Sequence, residues 1–426
     1  MKHEKSTLRI GSHLAMAVVL TFLGATLAAG QTQTVLYRFE GGTDSGDPAA
    51  GLVSDKAGNL YGTTEAFQIG CGTVFELVRP TSPGSQWIEE VIYAFYCEND
   101  GTPEDALIID QAGNLYGTTY HNGLGSVFEL SPPATQGGAW TETVLHSFTQ
   151  RSGDGGGSVA SLAMDNAGNL YGTTEKGGSE HDCGIVFELS PPVVQGGQWT
   201  EAILLRFNGG IGGAVPAAGL ARDQAGNLYG TTFYGGTAGF GVIFKLAPPA
   251  NQGGAWKETN LYNFTGTDGG YPAANLLLRG GDLYGTAVGS IEGNSCEPSC
   301  GVIFELSPPS TPGAPWTHMT LYAFAGGSDG VSPYAPVVFD QAGNLYTTTS
   351  FGGHSENGTV VELSPPSEPG TPWMETILWR FEGGTDGANP SSSLIFDPEG
   401  NLYGTTDNGG SENCDFGCGT VFRIKP

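Results

Sequence analysis

The chain repeats itself seven times, and this periodicity limits its fold more than any other feature. The octapeptide Ala-Gly-Asn-Leu-Tyr-Gly-Thr-Thr recurs with its asparagine at Asn59, Asn114, Asn169 and Asn227; altered copies put Asp282, Asn344 and Asn401 at the same point. Neighbouring copies lie 55, 55, 58, 55, 62 and 57 residues apart, a period that belongs to tandem supersecondary units. Each copy travels with three further apolar stretches. One precedes it and usually ends in aspartate, as at 52–55, 107–110, 162–165 and 394–397. A second follows it, at 73–77, 127–130, 185–189, 242–246, 302–306, 359–363 and 420–424. A third follows a proline-rich turn, as at 140–148. All are short, β-branched and aromatic, and bounded by Gly, Pro, Asn or Asp, which is the pattern of strands.

Each unit therefore predicts four strands, a to d in chain order. At the a–b turn the Asp55 side chain can accept from backbone N–H groups further on, and Gly58 can take positive φ, so a and b form a hairpin. Roughly 28 strands in sets of four suit a propeller. The expected fold is all-β, a seven-bladed β-propeller of four-stranded antiparallel blades. Residues 35–39 form a d strand with no a, b or c before it, and 420–424 form a c strand with no d after it. The N-terminal strand is thus expected to complete the last blade and close the ring. An open solenoid would need polar caps at its ends, and none is visible.

Lys2, Lys5 and Arg9 precede an apolar stretch at 14–29 that ends in small residues. Residues 1–30 read as a secretory signal peptide cut near Gly30, with an uncleaved anchor as the alternative. Residues 31–426 read as one repeat domain, secreted, periplasmic or at the cell surface, monomeric and without a further membrane span. Formal net charge is −27, which argues against nucleic acid and anionic membranes as partners.

The set Leu-Tyr-x-Phe, Gly-Gly-Thr-Asp-Gly, Asp-x-Ala-Gly-Asn-Leu-Tyr-Gly-Thr-Thr and Gly-Thr-Val-Phe-Glu-Leu resembles the bacterial GloVer repeat over nearly all of 35–426. The resemblance implies an exported tandem-repeat protein and brings no catalytic residues with it. Proteins carrying it are described as having a choice of anchor. This sequence ends at Pro426 inside a strand motif without a C-terminal sorting tail, a departure from the anchor part of that description which leaves anchorage open.

Cysteines 71, 183, 300 and 418 occupy one repeat position, and Cys296 and Cys414 lie four residues before two of them in the longest b–c loops. Pairs Cys296–Cys300 and Cys414–Cys418 are expected, with Cys71–Cys97 joining neighbouring ends of adjacent strands. Cys183 is left as a free thiol. Two cysteines at this spacing fit neither CxxC redox chemistry nor a four-ligand zinc site.

Most conspicuous side chains belong to the repeat. Trp87, Trp140, Trp199, Trp256, Trp316 and Trp373 fall at one position per unit and read as packing residues. The strand c glutamates (Glu76, Glu129, Glu188, Glu305, Glu362) give way to Lys245 and Arg423, so that position reads as solvated. Asp100, Asp268, Asp329 and Asp386 of the d–a loops read as turn residues rather than calcium ligands. Function is expected in the b–c and d–a loops, which share one face. The candidate ligand-binding residues there are Tyr120, His121, His181, Asp182, Glu292, His354, Asp415 and Phe416. No catalytic residue, metal or cofactor is assigned, and no GxSxG, HExxH or P-loop occurs. The preferred reading is a noncatalytic binding or surface-interaction module for an extracellular protein or glycan. The alternative is a polysaccharide hydrolase or lyase, which requires carboxylates or histidines converging at the channel mouth.

Overall fold

The computed structural model describes residues 31–426 apart from 66–70, 83, 98–100, 122–123, 136, 152, 195, 252, 290–295, 297–298 and 369. Its seven sheets, each antiparallel, stand as the blades of a propeller. In blade 1, strand a is Val53–Ser54, b is Leu60–Thr64, c is Thr73–Val78 and d is Ile88–Ala94. Blade 7 takes Ile395–Phe396, Leu402–Thr406 and Thr420–Lys425 from the end of the sequence and its outer strand, Thr32–Arg38, from the beginning. Thr32 pairs with Lys425 and Arg38 with Thr420, so the ring is closed as the orphan strand predicts. Strand a is shorter than the sequence suggests, two residues in most blades. The longer b strands of blades 2 and 3, Leu115–His121 and Leu170–Gly177, gain an additional inner pairing from Thr102–Pro103 and Gly155–Val159. Helix among the described residues is confined to the 3-10 turns Gly210–Gly212 and Gly384–Asp386. No helix among these residues is long and apolar enough to cross a membrane.

Burial follows from the stacking of blades. The Leu-Tyr-Gly-Thr-Thr strand of blade 1 is buried along its whole length because a neighbouring sheet covers each face. Outer strands such as Thr200–Arg206 alternate between exposed and half-buried, as strands with one solvated face do. Between blades, the Phe that ends strand d packs edge-on against the strand c Phe of the next sheet. The pairs are Phe39–Phe75, Phe95–Phe128, Phe148–Phe187, Phe207–Phe244, Phe264–Phe304 and Phe381–Phe422, with centroids 5.1–5.4 Å apart. Opposite each of these strand c rings stands the octapeptide glycine; Gly172, for example, pairs with Phe187. A Cβ on Gly172 would lie 2.5 Å from that ring, so the glycine is required by close approach rather than by its dihedrals. Blade 6 changes both partners together, and Thr347 faces Val361.

The tryptophans take the packing role expected of them. Trp87 meets Tyr403, Trp140 meets Tyr61, Trp199 meets Tyr116 and Trp316 meets Tyr229, each across a blade boundary. The a–b turns are also as read. Asp55 Oδ1 accepts from the N–H groups of Ala57 and Asn59, and its Oδ2 accepts from the Asn59 side chain. One expectation needs correction. The strand c glutamate is half-buried rather than freely solvated, and the Tyr61 hydroxyl donates to Glu76 Oε1 at 2.9 Å. Lys245 lies over the Tyr229 ring instead, so the tyrosine accommodates either charge.

Cys71–Cys97, Cys296–Cys300 and Cys414–Cys418 are disulfide-bonded and Cys183 is free. The first closes the longest loop, with a sequence separation of 26. Reduction is therefore expected to lower the melting temperature, and Cys97→Ser alone to reproduce most of the loss, about 2–3 kcal/mol. An unchanged melting curve in reductant would count against any stapling role.

Candidate functional site

Every d–a loop but the one entering blade 3 passes through an x-Pro segment, and in several its backbone ties two blades together. The N–H of Asp47 donates to the Cys418 carbonyl of blade 7, and the Asp47 carbonyl accepts from Glu65 at the top of strand b. The same double link recurs around the ring. Val215 bonds Cys183 and Phe233, Ser332 bonds Cys300 and Ser350, and Asn389 bonds Asn357 and Asp407. The geometry demands positive φ before the proline: 59° at Asp47, 58° at Val215, 55° at Tyr271, 56° at Ser332 and 56° at Asn389. None of these is glycine, and Val215 is β-branched, so each residue stores roughly 1–3 kcal/mol of strain. Strain repeated at one level of the ring marks the place where this fold holds side chains in fixed positions.

Two side-chain columns meet at that level. The residue after Thr-Thr is Glu65, Tyr120, Glu175, Phe233, Val288, Ser350 and Asp407 in blades 1 to 7, and the residue before proline includes Asp47 and Tyr271. Below them, segments from six blades line an axial cavity of about 210 Å³, among them Glu104, Asp105, Asn275, Tyr334 and Ser391. Carboxylates come from blades 7, 1, 2 and 3, with the Tyr120 ring of blade 2 among them, and the other aromatic rings come from blades 4, 5 and 6.

On the acidic side, burial pushes the Glu65 carboxyl up to about 8, helped by the charges of Asp47, Glu104, Asp407 and Asp105. Burial likewise raises Asp407 to about 7, with the Asp47 charge adding and the Ser391 hydroxyl opposing. That hydroxyl donates to Asp407 Oδ1 at 2.7 Å. Burial alone takes Asp47 to about 6. Asp105 also reaches about 6 through burial, although the N–H groups of Ala106 and Ser161 hold it back. Ser161 extends this into a polar chain across the axis: Asn275 donates to its hydroxyl at 2.7 Å and accepts from the Gly219 N–H at 2.6 Å. Glu175 is raised by burial and then by Glu104, against Lys176. At neutral pH the cluster therefore keeps at least one proton. It offers a carboxylic acid that can donate beside carboxylates that can only accept.

On the other side, Phe233 lies 4.9 Å from Tyr234 and 5.3 Å from Tyr271, measured between ring centroids. Phe240 adds a further ring 5.3 Å from Tyr271. Tyr234 is 41% exposed, and the Tyr334 hydroxyl beneath it is raised by burial and by Tyr234. Aromatic rings and carboxylates held at equivalent positions of one ring can together stack on a flat apolar surface and hydrogen-bond its polar edge.

Of the residues singled out from sequence, Tyr120 stands in this mouth, at the position between Glu65 and Glu175 in the ring. His181, His354, Asp415 and Phe416 are exposed on b–c loops, Phe416 at 83%, and no contact among the described residues joins them. Asp182 is exposed, has φ of 56° and accepts from the Gly177 N–H, which is a turn contact. Glu292 and the side chain of His121 lie outside the described residues, as does Asp100. Asp268 and Asp329 cap their loops, accepting from the N–H groups of Thr265 and Ala325. Glu65, Glu175, Asp407 and Asp47 were missed because each sits next to an invariant motif and reads as its margin. The signal was the column after Thr-Thr, which changes identity in nearly every unit while its neighbours hold.

The Gloeobacter/Verrucomicrobia repeat matches this chain over residues 21–220 and 299–426. The chain belongs to that repeat family. No curated protein matches its sequence. Among solved structures, the AfRom2 CNH domain is similar with a TM-score of 0.50 at 8% identity, over 93% of this chain and 99% of that one. The PQQ-bound aldose sugar dehydrogenase of Streptomyces coelicolor gives 0.44 at 11% identity, over 93% and 98%. PorZ, a surface component of the type-IX secretion system of Porphyromonas gingivalis, gives 0.44 at 14%, over 81% and 43%. Family members of this kind share a repeat, and the similar structures share an architecture. At such identities the likeness is one of fold alone.

Proposed function

We propose that this family member is an exported, monomeric binding module that takes a neutral or amino-bearing glycan at its axial mouth. The observation that carries this reading is that one mouth holds both carboxylates and aromatic rings. A sugar ring has both faces to match: C–H surfaces that stack on Phe233 and Tyr271, and hydroxyls that pair with Glu65, Asp407 and Asp47. A polyuronate would meet repulsion from the same carboxylates. Export rests on the signal-like residues 1–30 and on disulfides, which persist in oxidising compartments.

A hydrolase is the second reading, favoured by one observation. Glu65 holds a proton near neutrality beside carboxyls of lower affinity, the pairing that general acid catalysis uses. The two readings separate in a single experiment. Purified protein is passed over neutral, amino and acidic oligosaccharides, with reducing-end release assayed in parallel. The binding reading expects Phe233→Ala with Tyr271→Ala to weaken retention of a neutral or amino glycan at least tenfold. It expects Glu65→Gln, which keeps a donor, to weaken it little. Turnover abolished by Glu65→Gln would establish the hydrolase instead, and preference for acidic chains would sink both.

A further inference from the structure

Far from the mouth, three side chains converge at the outer boundary between blades 2 and 3. His146 lies on Thr141–Ser147, Asp154 in the loop that follows, and Glu201 on Thr200–Arg206 of the next blade. The His146 Nε2 atom is 3.7 Å from Asp154 Oδ1 and 3.9 Å from Glu201 Oε1. One ligand atom from each residue lies within 4.8 Å of the others. The side chains are 22%, 14% and 17% exposed, and both His146 Nε2 and Glu201 Oε1 are sealed from solvent without a hydrogen-bond partner. Such orphaned polar atoms are uncommon in folded proteins and call for a missing partner.

Comparison with other boundaries shows what is special here. At the blade 7/1 boundary the equivalent trio is Tyr37, Asp44 and Glu89, and the Tyr37 hydroxyl donates to Asp44 at 2.9 Å. At the blade 5/6 boundary it is Tyr322, Asp329 and Glu375, with the same bond at 2.9 Å. There the phenol satisfies the aspartate while Glu89 Oε1 and Glu375 Oε1 stay unpartnered as Glu201 Oε1 does, so what sets the blade 2/3 boundary apart is the orphaned imidazole nitrogen beside its carboxylates. At the blade 2/3 boundary an imidazole stands in the phenol's place, too far from either carboxylate for a hydrogen bond but able to lend a nitrogen lone pair. Asp154 is held ready: its Oδ2 accepts from the Thr149 N–H at 2.8 Å and hydroxyl at 2.7 Å. Phe148 packs against the His146 ring at 4.6 Å and fixes its plane. Arg206, the nearby cation, is turned to the Gly153 carbonyl at 3.1 Å.

We propose that His146, Asp154 and Glu201 form a zinc site that bridges blades 2 and 3. One imidazole nitrogen and two carboxylate oxygens supply three of four tetrahedral positions, with bonds of about 2.0–2.2 Å reached by closing the trio slightly. The fourth would be filled by a water carried in with the ion. A dication would neutralise two carboxylates that otherwise repel each other and would pair both orphaned atoms at once.

The test uses the metal alone with the full chain. Purified protein stripped by chelator is titrated with zinc by calorimetry, and with cobalt to read the visible band of a tetrahedral ion. We expect one equivalent bound with micromolar or tighter affinity and a zinc-dependent rise in melting temperature. His146→Tyr restores the trio of other boundaries, so it is expected to fold with an unchanged circular dichroism spectrum. It should lose at least a hundredfold in zinc affinity and the whole thermal shift. Glu201→Gln should lose tenfold or more. Failure of the parent protein to bind zinc, or equal binding by His146→Tyr, would overturn the proposal.

Discussion

Phe187→Ala is expected to destabilise the ring by about 3–5 kcal/mol, the range for removing a fully buried aromatic side chain from a core that cannot collapse around the gap. The ring of Phe187 is 0% exposed and packs against Phe148 from blade 2, so the cavity would open at a blade boundary. A second experiment makes the cause specific. Gly172→Thr should cost about 1–3 kcal/mol by overpacking, since its Cβ alone would lie 2.5 Å from Phe187. Phe187→Val should also destabilise, while the double variant copies the Thr347–Val361 pair of blade 6. A double-mutant cycle by thermal or denaturant unfolding should show a favourable coupling of about 1–3 kcal/mol. Additive losses would mean that the glycine and the ring are not matched to each other.

Stability is expected to fall as pH rises from 5 to 9, lowering the melting temperature by on the order of 5–10 °C. Glu65 is raised to about 8, and Glu89, Glu375 and Asp407 to about 7, in every case with burial as the largest cause. For Glu89 the Asp44 charge adds to it, and for Glu375 the Asp329 charge does. Each folded carboxyl holds its proton more tightly than the unfolded chain, whose carboxyls titrate near about 4. Their contribution is fully present below that value and is lost as pH passes through 7 and 8. The turn aspartates act oppositely: Asp165, Asp223, Asp340 and Asp397 are lowered by hydrogen bonds that outweigh burial, and their contribution is lost in acid. The optimum should therefore lie near pH 5. Melting curves that stay level between pH 5 and 9 would refute this, and Glu65→Gln with Asp407→Asn should flatten the alkaline decline.

The ring was legible in the sequence because every unit carries the same strand and turn chemistry. Asp55 with Gly58 and Asn59 announces a hairpin, and the six tryptophans announce a boundary, without any tertiary information. The mouth was less legible. Phe233 meets Tyr271 from 38 residues away, and only the ring brings Glu65 to Asp407, 342 residues further along the sequence. Exposed histidines such as His181 and His354 drew notice because histidine is rare here, although loop tips are where an isolated polar residue is least constrained. His146 was passed over for the opposite reason. It sits inside a strand motif, and its partner Glu201 belongs to the next unit.

The seam of blade 7 also sets when folding can finish. Its six ladder pairs, from Thr32–Lys425 to Arg38–Thr420, join segments at opposite extremes of the sequence. Blades 1 to 6 can each zip up from local contacts, while the seam waits on the slowest kind of encounter, one that draws in almost the entire polypeptide. Until it forms, two bare sheet edges of matching register are on offer to any neighbouring copy. Exchange of the Thr32–Arg38 strand between two molecules is thus the misassembly this topology invites, and dilute refolding is the condition that suppresses it.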